Sequence, residues 1–134
     1  MIYIILAMLL YSVTILLGTA ASRSANTNLV SAITNTISAL LPIAVVIPIL
    51  SKKTIVDQKV GIIYAVLGGL TVALFVMSLN KAFSVNKVAI VSPIVFGGAI
   101  LLTTVASYFV FKEKVSLVQG IGLALLLVGL GLVI

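Results

Sequence analysis

The sequence predicts an all-α membrane protein, a bundle of five transmembrane helices, and two observations carry this prediction. Hydrophobic residues make up 63% of the 134 residues and charged residues only 7%, whereas soluble domains carry roughly 25% charged residues. The apolar residues also fall into five long runs, each close to the roughly 20 residues that a helix needs to cross a bilayer. The sequence has no long segments of alternating apolar and polar residues, which argues against a transmembrane barrel.

Short polar links separate the five runs and turn the chain back on itself. The link "GTAASRSANTN" follows the first run, "SKKTIVDQK" the second and "NKAFSVNK" the third. Because the links are so short, successive helices should be antiparallel neighbours in a single transmembrane domain, residues 1–134. The first run lacks a preceding basic segment and is interpreted as a retained span rather than a signal peptide. The predicted spans cover residues 2–20, 28–50, 60–79, 88–111 and 117–134.

Residues that cap helices precede four of the spans. Their side-chain oxygens accept hydrogen bonds from the backbone N–H groups that the first helical turn leaves unpaired. Ser116 and Gln119 have the S-x-x-Q spacing of a capping box ahead of the fifth span. The other candidates are Asn26 or Thr27 for the second span, Thr54 with Asp57 for the third, and Ser84 or Asn86 for the fourth.

Polar side chains follow one face of the second predicted span. Asn28, Ser31, Asn35 and Ser38 recur at helical spacing. Such a face either lines a polar translocation cavity, where amides and hydroxyls bind a solute, or forms hydrogen bonds between helices. Tyr11 and Thr14 in the first span either complete the cavity or pack. The candidate substrate-binding residues are therefore Tyr11, Thr14, Ser31, Asn35 and Ser38.

Small residues and prolines indicate helix packing and helix distortion. Small side chains recur every four residues in the third span, which is typical of closely packed membrane helices. Pro42 and Pro93 remove backbone donors inside predicted spans, so they are candidate hinges or kinks, although membrane helices also tolerate proline without such a role. The predicted packing row consists of Gly61, Ala65, Gly69 and Ala73.

The chain has only two acidic residues, Asp57 and Glu113, and no Asp, Glu, Lys or Arg falls deep inside a predicted span. Glu113 lies between the fourth and fifth spans, beside Lys112 and Lys114. It either stabilises a helix end, opposite the positive end of the fifth helix, or couples transport to an ion. The sequence also has no Cys and no His. We therefore predict no metal site, no cofactor and no enzymatic nucleophile–base pair.

The net charge of +6 is spread over the links in small groups. This distribution is typical of topology signals and lipid headgroup contacts rather than of a nucleic-acid-binding surface. With five spans, Lys52, Lys53, Lys59, Lys112 and Lys114 would share the side of the N-terminus, opposite Arg23, Lys81 and Lys87. This excess favours a cytoplasmic N-terminus and is small enough to permit insertion in both orientations.

Residues 80–134 resemble the closing signature of an EamA-type half-domain of the drug/metabolite transporter superfamily, whereas residues 1–79 agree with it in the number of spans. Gln119 and Gly120 are adjacent, a small departure from the family pattern. The remaining matching residues are Ala82 in the link after the third helix, Ala89 and Pro93 at the start of the fourth, Glu113 at its end, and Gly129 and Gly131 in the fifth.

The resemblance implies a carrier that moves a small metabolite by alternating access, with Glu113 as a helix-end residue. Most members contain two inverted halves, so a five-span chain implies a homodimer, expected to be antiparallel, or a pairing with a homologous half. We expect a multi-pass protein of the cytoplasmic membrane of a prokaryote, in contact with lipid and a neutral or zwitterionic solute. The alternatives are a non-transporting scaffold or accessory subunit and a lipid-linked headgroup flippase. Small multidrug exporters fit less well, because they have four spans and a buried glutamate that "AMLLYSVTILLG" lacks.

Overall fold

The structure is a computed structural model that describes residues 1–49 and 58–133. The regular elements of these residues are all helical. The chain divides into two compact units, Met1–Val85 and Asn86–Ile134. The predicted all-α fold class is thus confirmed. The predicted Thr54–Asp57 capping pair and the end of the second predicted span lie outside the described residues.

The first unit is built from three long helices. They are α1 (Ile2–Ser24), α2 (Thr27–Val46), which is followed by a short 3-10 turn at Ile47–Ile49, and α3 (Lys59–Val85). Each of the three packs against the other two. This arrangement leaves a cavity between α1, α2 and α3.

A tight turn at Ala25 and Asn26 joins α1 to α2. Ala25 adopts an extended conformation, with φ −143° and ψ 170°, which ends α1. The side-chain oxygen of Asn26 then accepts hydrogen bonds from the N–H groups of Asn28, at 2.9 Å, and Leu29, at 3.3 Å. Asn26 rather than Thr27 is therefore the cap of the second helix, and the short link makes α1 and α2 antiparallel neighbours.

The third helix continues past its predicted end at Leu79 and reaches Val85. The prediction stopped the helix at the polar pair that begins with Asn80, although the sequence has no Gly or Pro between Leu79 and Pro93 to end it. Ala82, predicted to lie in a polar link, is therefore helical. Ser84 lies within the same helix and donates to the carbonyl of Lys81 at 2.8 Å.

The second unit contains one long distorted helix and one short helix. The first comprises α4 (Val88–Ser92), a π-helical segment (Pro93–Gly97) and α5 (Gly98–Val110), and the second is α6 (Leu117–Val133). Lys87, not Ser84 or Asn86, is the N-cap residue of α4, and its side chain makes no capping hydrogen bond. The π-helical segment begins at Pro93, so the helix is distorted at a predicted kink position.

Gly97 allows α6 to approach the π-helical segment closely. Gly97 is buried, and a Cβ atom at this position would lie 2.8 Å from Cδ2 of Leu130 in α6. Any larger residue would push Leu130 aside. The packing of α6 in this unit therefore depends on the missing side chain of Gly97.

Among the described residues, four helical stretches are long and apolar enough to cross a membrane: α1, α2, α3 and residues 88–110. The apolar helix α6 has 17 residues, which at roughly 1.5 Å each gives about 26 Å, slightly less than a typical hydrocarbon core. Many apolar side chains are exposed within the chain, such as Leu41 at 78% and Leu132 at 84%. The bilayer accounts for this exposure, since acyl chains solvate such side chains as well as a protein core does.

Candidate functional site

A cavity of about 480 Å³ lies between α1, α2 and α3 in the first unit. Its walls are mainly apolar and include the rings of Phe75 and Phe83. The described lining contains no Asp, Glu, Lys or Arg. The polar residues on its walls are Tyr11, Thr14, Thr34, Ser38 and Asn80.

The hydroxyl groups of the cavity differ in their bonding. The Thr14 hydroxyl donates to the carbonyl of Leu10 at 2.9 Å, and that of Ser38 donates to the carbonyl of Asn35 at 3.0 Å. Both therefore keep lone pairs as acceptors. The hydroxyl of Thr34 makes no hydrogen bond with any residue that the structure describes. Thr34 can consequently both donate to a bound molecule and accept from it.

Asn80 links α3 to α2 at the edge of the cavity. Its Nδ2 donates to the hydroxyl of Ser31 at 2.9 Å, and Ser31 donates in turn to the carbonyl of Thr27 at 2.7 Å. Both side chains are buried, at 5% and 2% exposure. Gly18 of α1 faces the same carboxamide, since a Cβ atom there would lie 3.7 Å from Oδ1 of Asn80. One carboxamide thus brings the three helices together at this point.

The sequence-predicted binding residues separate into two groups. Tyr11, Thr14 and Ser38 line the cavity, whereas Ser31 and Asn35 do not. Ser31 makes the interhelical hydrogen bond to Asn80, so the polar face of α2 supplies both a helix contact and part of the cavity wall. Asn35 is half-buried, and its carboxamide makes no hydrogen bond with the described part of the chain.

Asn80 is a polar cavity residue that the sequence prediction missed. It was assigned to the link "NKAFSVNK", because the predicted span ended at Leu79, six residues before the observed end of α3 at Val85. A usable signal was present, since Val76, Asn80 and Phe83 follow helical spacing and Phe83 is the most deeply buried large side chain of the described residues. The aromatic walls at Phe75 and Phe83 were missed as well.

Arg23 stabilises the end of α3 beside the cavity. Its Nε donates to the carbonyl of Phe83 at 3.3 Å, in the last turn of α3, where a cation also interacts favourably with the helix dipole. Thr19 and Ser22 are buried nearby in sequence on α1. The Thr19 hydroxyl donates to the carbonyl of Ile15 at 2.8 Å, whereas that of Ser22 has no partner among the described residues.

Glu113 lies at a second cavity, of about 440 Å³, in the second unit. It is exposed in the link that follows α5 and forms no ion pair with Lys112, Lys114 or any other described residue. Lys112 has a positive φ of 55°, and this left-handed residue turns the chain after α5. The cavity is also lined by polar side chains of α5 and α6: Thr104, Ser107 and Gln119.

The predicted capping box of α6 is present in the structure. The N–H of Ser116 donates to Oε1 of Gln119 at 2.8 Å, and the N–H of Gln119 donates to the hydroxyl of Ser116 at 3.2 Å. These reciprocal bonds satisfy two backbone donors at the start of the helix. Ser116 and Gln119 thus fix where α6 begins.

The predicted packing row lies on α3, mostly on its exposed surface. Gly61, Ala65 and Gly69 are exposed and Ala73 is half-buried, and nothing lies within 4 Å of a Cβ atom placed at Gly61 or Gly69. The close helix packing predicted for this row therefore stays a prediction. Pro42 lies inside α2, which remains helical on both sides of it.

The described residues contain no group of three His, Cys, Asp or Glu side chains that could hold a metal ion.

The comparison with protein families identifies one match, to the EamA-like transporter family, over residues 1–134. No curated protein and no solved structure shows significant similarity to the chain.

Proposed function

Because the chain belongs to the EamA-like transporter family, we propose that it carries a small neutral or zwitterionic metabolite across the membrane by alternating access. The cavity between α1, α2 and α3 is the proposed binding site. The observation that carries this proposal is the combination of an accessible cavity of about 480 Å³ with a hydroxyl on its wall, that of Thr34, which bonds to none of the described residues.

The lining supports a solute with an apolar body and a small polar group. Phe75, Phe83 and the aliphatic residues would surround the apolar part, while Thr34, Ser38 and Asn80 would bind the polar part. The described lining contains no charged side chain, and a net charge without a partner would be costly in this environment. The solute should therefore carry no net charge. For the same reason we propose facilitated diffusion or weakly coupled exchange rather than strong proton coupling.

The proposed working unit is a homodimer, with the two copies inserted in opposite orientations. Two copies related by an axis in the membrane plane must insert oppositely, as the inverted repeats of many transporters do. The nearly balanced distribution of Lys and Arg residues supports this arrangement. The proposed location is the cytoplasmic membrane of a prokaryote.

Transport by purified protein in liposomes tests this proposal. We expect at least one solute in a panel of amino acids, sugars and nucleosides to enter faster than in protein-free liposomes. Ser38→Phe should then block uptake by filling the cavity. Ser12→Phe is the matched control, because Ser12 is exposed on α1 and does not line the cavity. Uptake no faster than in empty liposomes, or equal uptake by the two folded variants, would contradict the proposal.

A further inference from the structure

Asn35 places a carboxamide without a partner in the described part of the chain near the middle of a membrane helix. At roughly 1.5 Å per residue, it lies about 12 Å along the helix axis from Thr27 and about 16 Å from Val46. Its carboxamide has two N–H donors and an acceptor oxygen, and none of these bonds to a described residue. In hydrocarbon each unsatisfied polar group costs several kcal/mol, so the side chain requires a polar partner beyond the described residues.

The cavity does not supply this partner. The α2 residues that line the cavity are Ile33, Thr34, Ile37 and Ser38. With roughly 100° of rotation per residue, Asn35 points about 130° away from the centre of this set. Its partner therefore approaches α2 from another side.

The surface around Asn35 is suited to another helix. Ala32 and Ala39 lie within about 60° of Asn35 on the helical wheel, and both are exposed. Small side chains on either side of a polar residue allow two helices to approach until the polar groups bond, which is the common mode of association in membranes. A carboxamide is self-complementary, since the N–H of one copy can donate to the oxygen of another and accept one bond in return.

We propose that Asn35 pairs with Asn35 of a second copy of the chain, so that two α2 helices cross antiparallel at this residue. The proposal rests on the dimer of the proposed function and specifies its contact. A two-fold axis in the membrane plane brings a residue next to its own copy only near mid-depth. The central position of Asn35 in α2 meets this requirement.

The proposed crossing specifies the neighbours of Asn35. An antiparallel pair places Ala32 of one copy opposite Ala39 of the other, offset by about 1.5 Å along the axis. Two Ala32 residues would instead be offset by about 9 Å, beyond the roughly 7 Å between Cα atoms that a disulfide permits. A parallel pair would instead place Ala32 opposite Ala32 and Ala39 opposite Ala39.

Disulfide trapping distinguishes these arrangements, and the wild-type chain has no cysteine to interfere. Ala32→Cys and Ala39→Cys chains with different tags are expressed together and oxidised in membranes. We expect the mixed disulfide to exceed both homodisulfides several-fold, while Leu41→Cys, about 120° from Asn35 and exposed, gives none. Homodisulfides without the mixed product, or no disulfide from any pair, would overturn the proposed crossing.

A second measurement requires no introduced cysteine. Asn35→Leu should lower the dimer fraction in lipid several-fold, as measured by energy transfer between labelled copies, while Thr36→Leu on the neighbouring face should not. An unchanged dimer fraction in Asn35→Leu would contradict the pairing. If monomers transport solute, the pairing fails and the transport function stands. If the mixed disulfide forms but no solute of the panel is transported, the pairing stands and the proposed function fails.

Discussion

The carboxamide of Asn80 on α3 donates a hydrogen bond of 2.9 Å to the buried hydroxyl of Ser31 on α2. This bond joins residues far apart in sequence at the edge of the cavity, while Gly18 of α1 lies against the same carboxamide. A buried amide in a membrane helix has no water to bond with, so its pairing fixes how the helices pack. The cavity walls are consequently held by a polar contact rather than by a large apolar core.

The energy of the Asn80–Ser31 bond can be measured by a double-mutant cycle. We expect a coupling free energy of about 0.6 kcal/mol between Asn80→Ala and Ser31→Ala, and at most about 1.7 kcal/mol, because these are the average and the maximum for hydrogen bonds between membrane helices. The measurement is the free energy of unfolding in mixed micelles. Ser12→Ala is the control partner, because the Ser12 hydroxyl bonds within its own helix to the carbonyl of Met8. A coupling energy equal to that of the control cycle would show that the bond is absent.

Gly97→Ala should destabilise the second unit. The new methyl group would lie 2.8 Å from Cδ2 of Leu130, and overpacking of this kind typically costs about 1–3 kcal/mol. Leu130→Ala in the same chain should recover part of the loss. Gly98→Ala is the matched control, since nothing lies within 4 Å of its Cβ position. Equal thermal stability of the two single variants would contradict the close approach of α6 to Gly97.

Lys112→Gly should stabilise the protein. Lys112 has φ 55°, and the left-handed conformation costs a residue with a side chain about 1–2 kcal/mol. Glycine removes this strain, but its greater conformational freedom in the unfolded chain offsets part of the gain. We expect a net gain of a few tenths to about 1 kcal/mol in the free energy of unfolding. Lys114→Gly removes the same charge from the same link at a residue without positive φ. A loss of stability in both variants would show that the strain at Lys112 is not relieved.

The predicted fold agrees with the structure where local signals determine a helix. Asn26 and the Ser116–Gln119 pair cap helices as their spacing predicts, because capping depends on neighbours within a few residues. The predicted end of α3 was wrong, because Asn80 and Lys81 were taken to mark a link. Their placement is a tertiary effect, since Asn80 is accommodated in a helix by its bond to Ser31 on another helix.

The polar face of α2 shows why the candidate site was only partly predictable. Helical spacing places Ser31, Asn35 and Ser38 on one side of α2. Ser31 nevertheless bonds to α3, Asn35 bonds to none of the described residues, and Ser38 lines the cavity. A rotation of about 60° around the helix separates these environments. Sequence spacing defines the face, but the position of the neighbouring helices decides the role of each side chain on it.

The most direct test of the central claim, that the cavity between α1, α2 and α3 binds the transported solute, compares uptake by Thr34→Val and Thr36→Val in liposomes. The two variants lose the same hydroxyl from the same helix, but only Thr34 lines the cavity. Loss of one hydrogen bond worth about 1 kcal/mol should lower uptake of a limiting solute about fivefold in Thr34→Val, while Thr36→Val should transport at the wild-type rate. Equal uptake by the two variants, at any level, would contradict the claim.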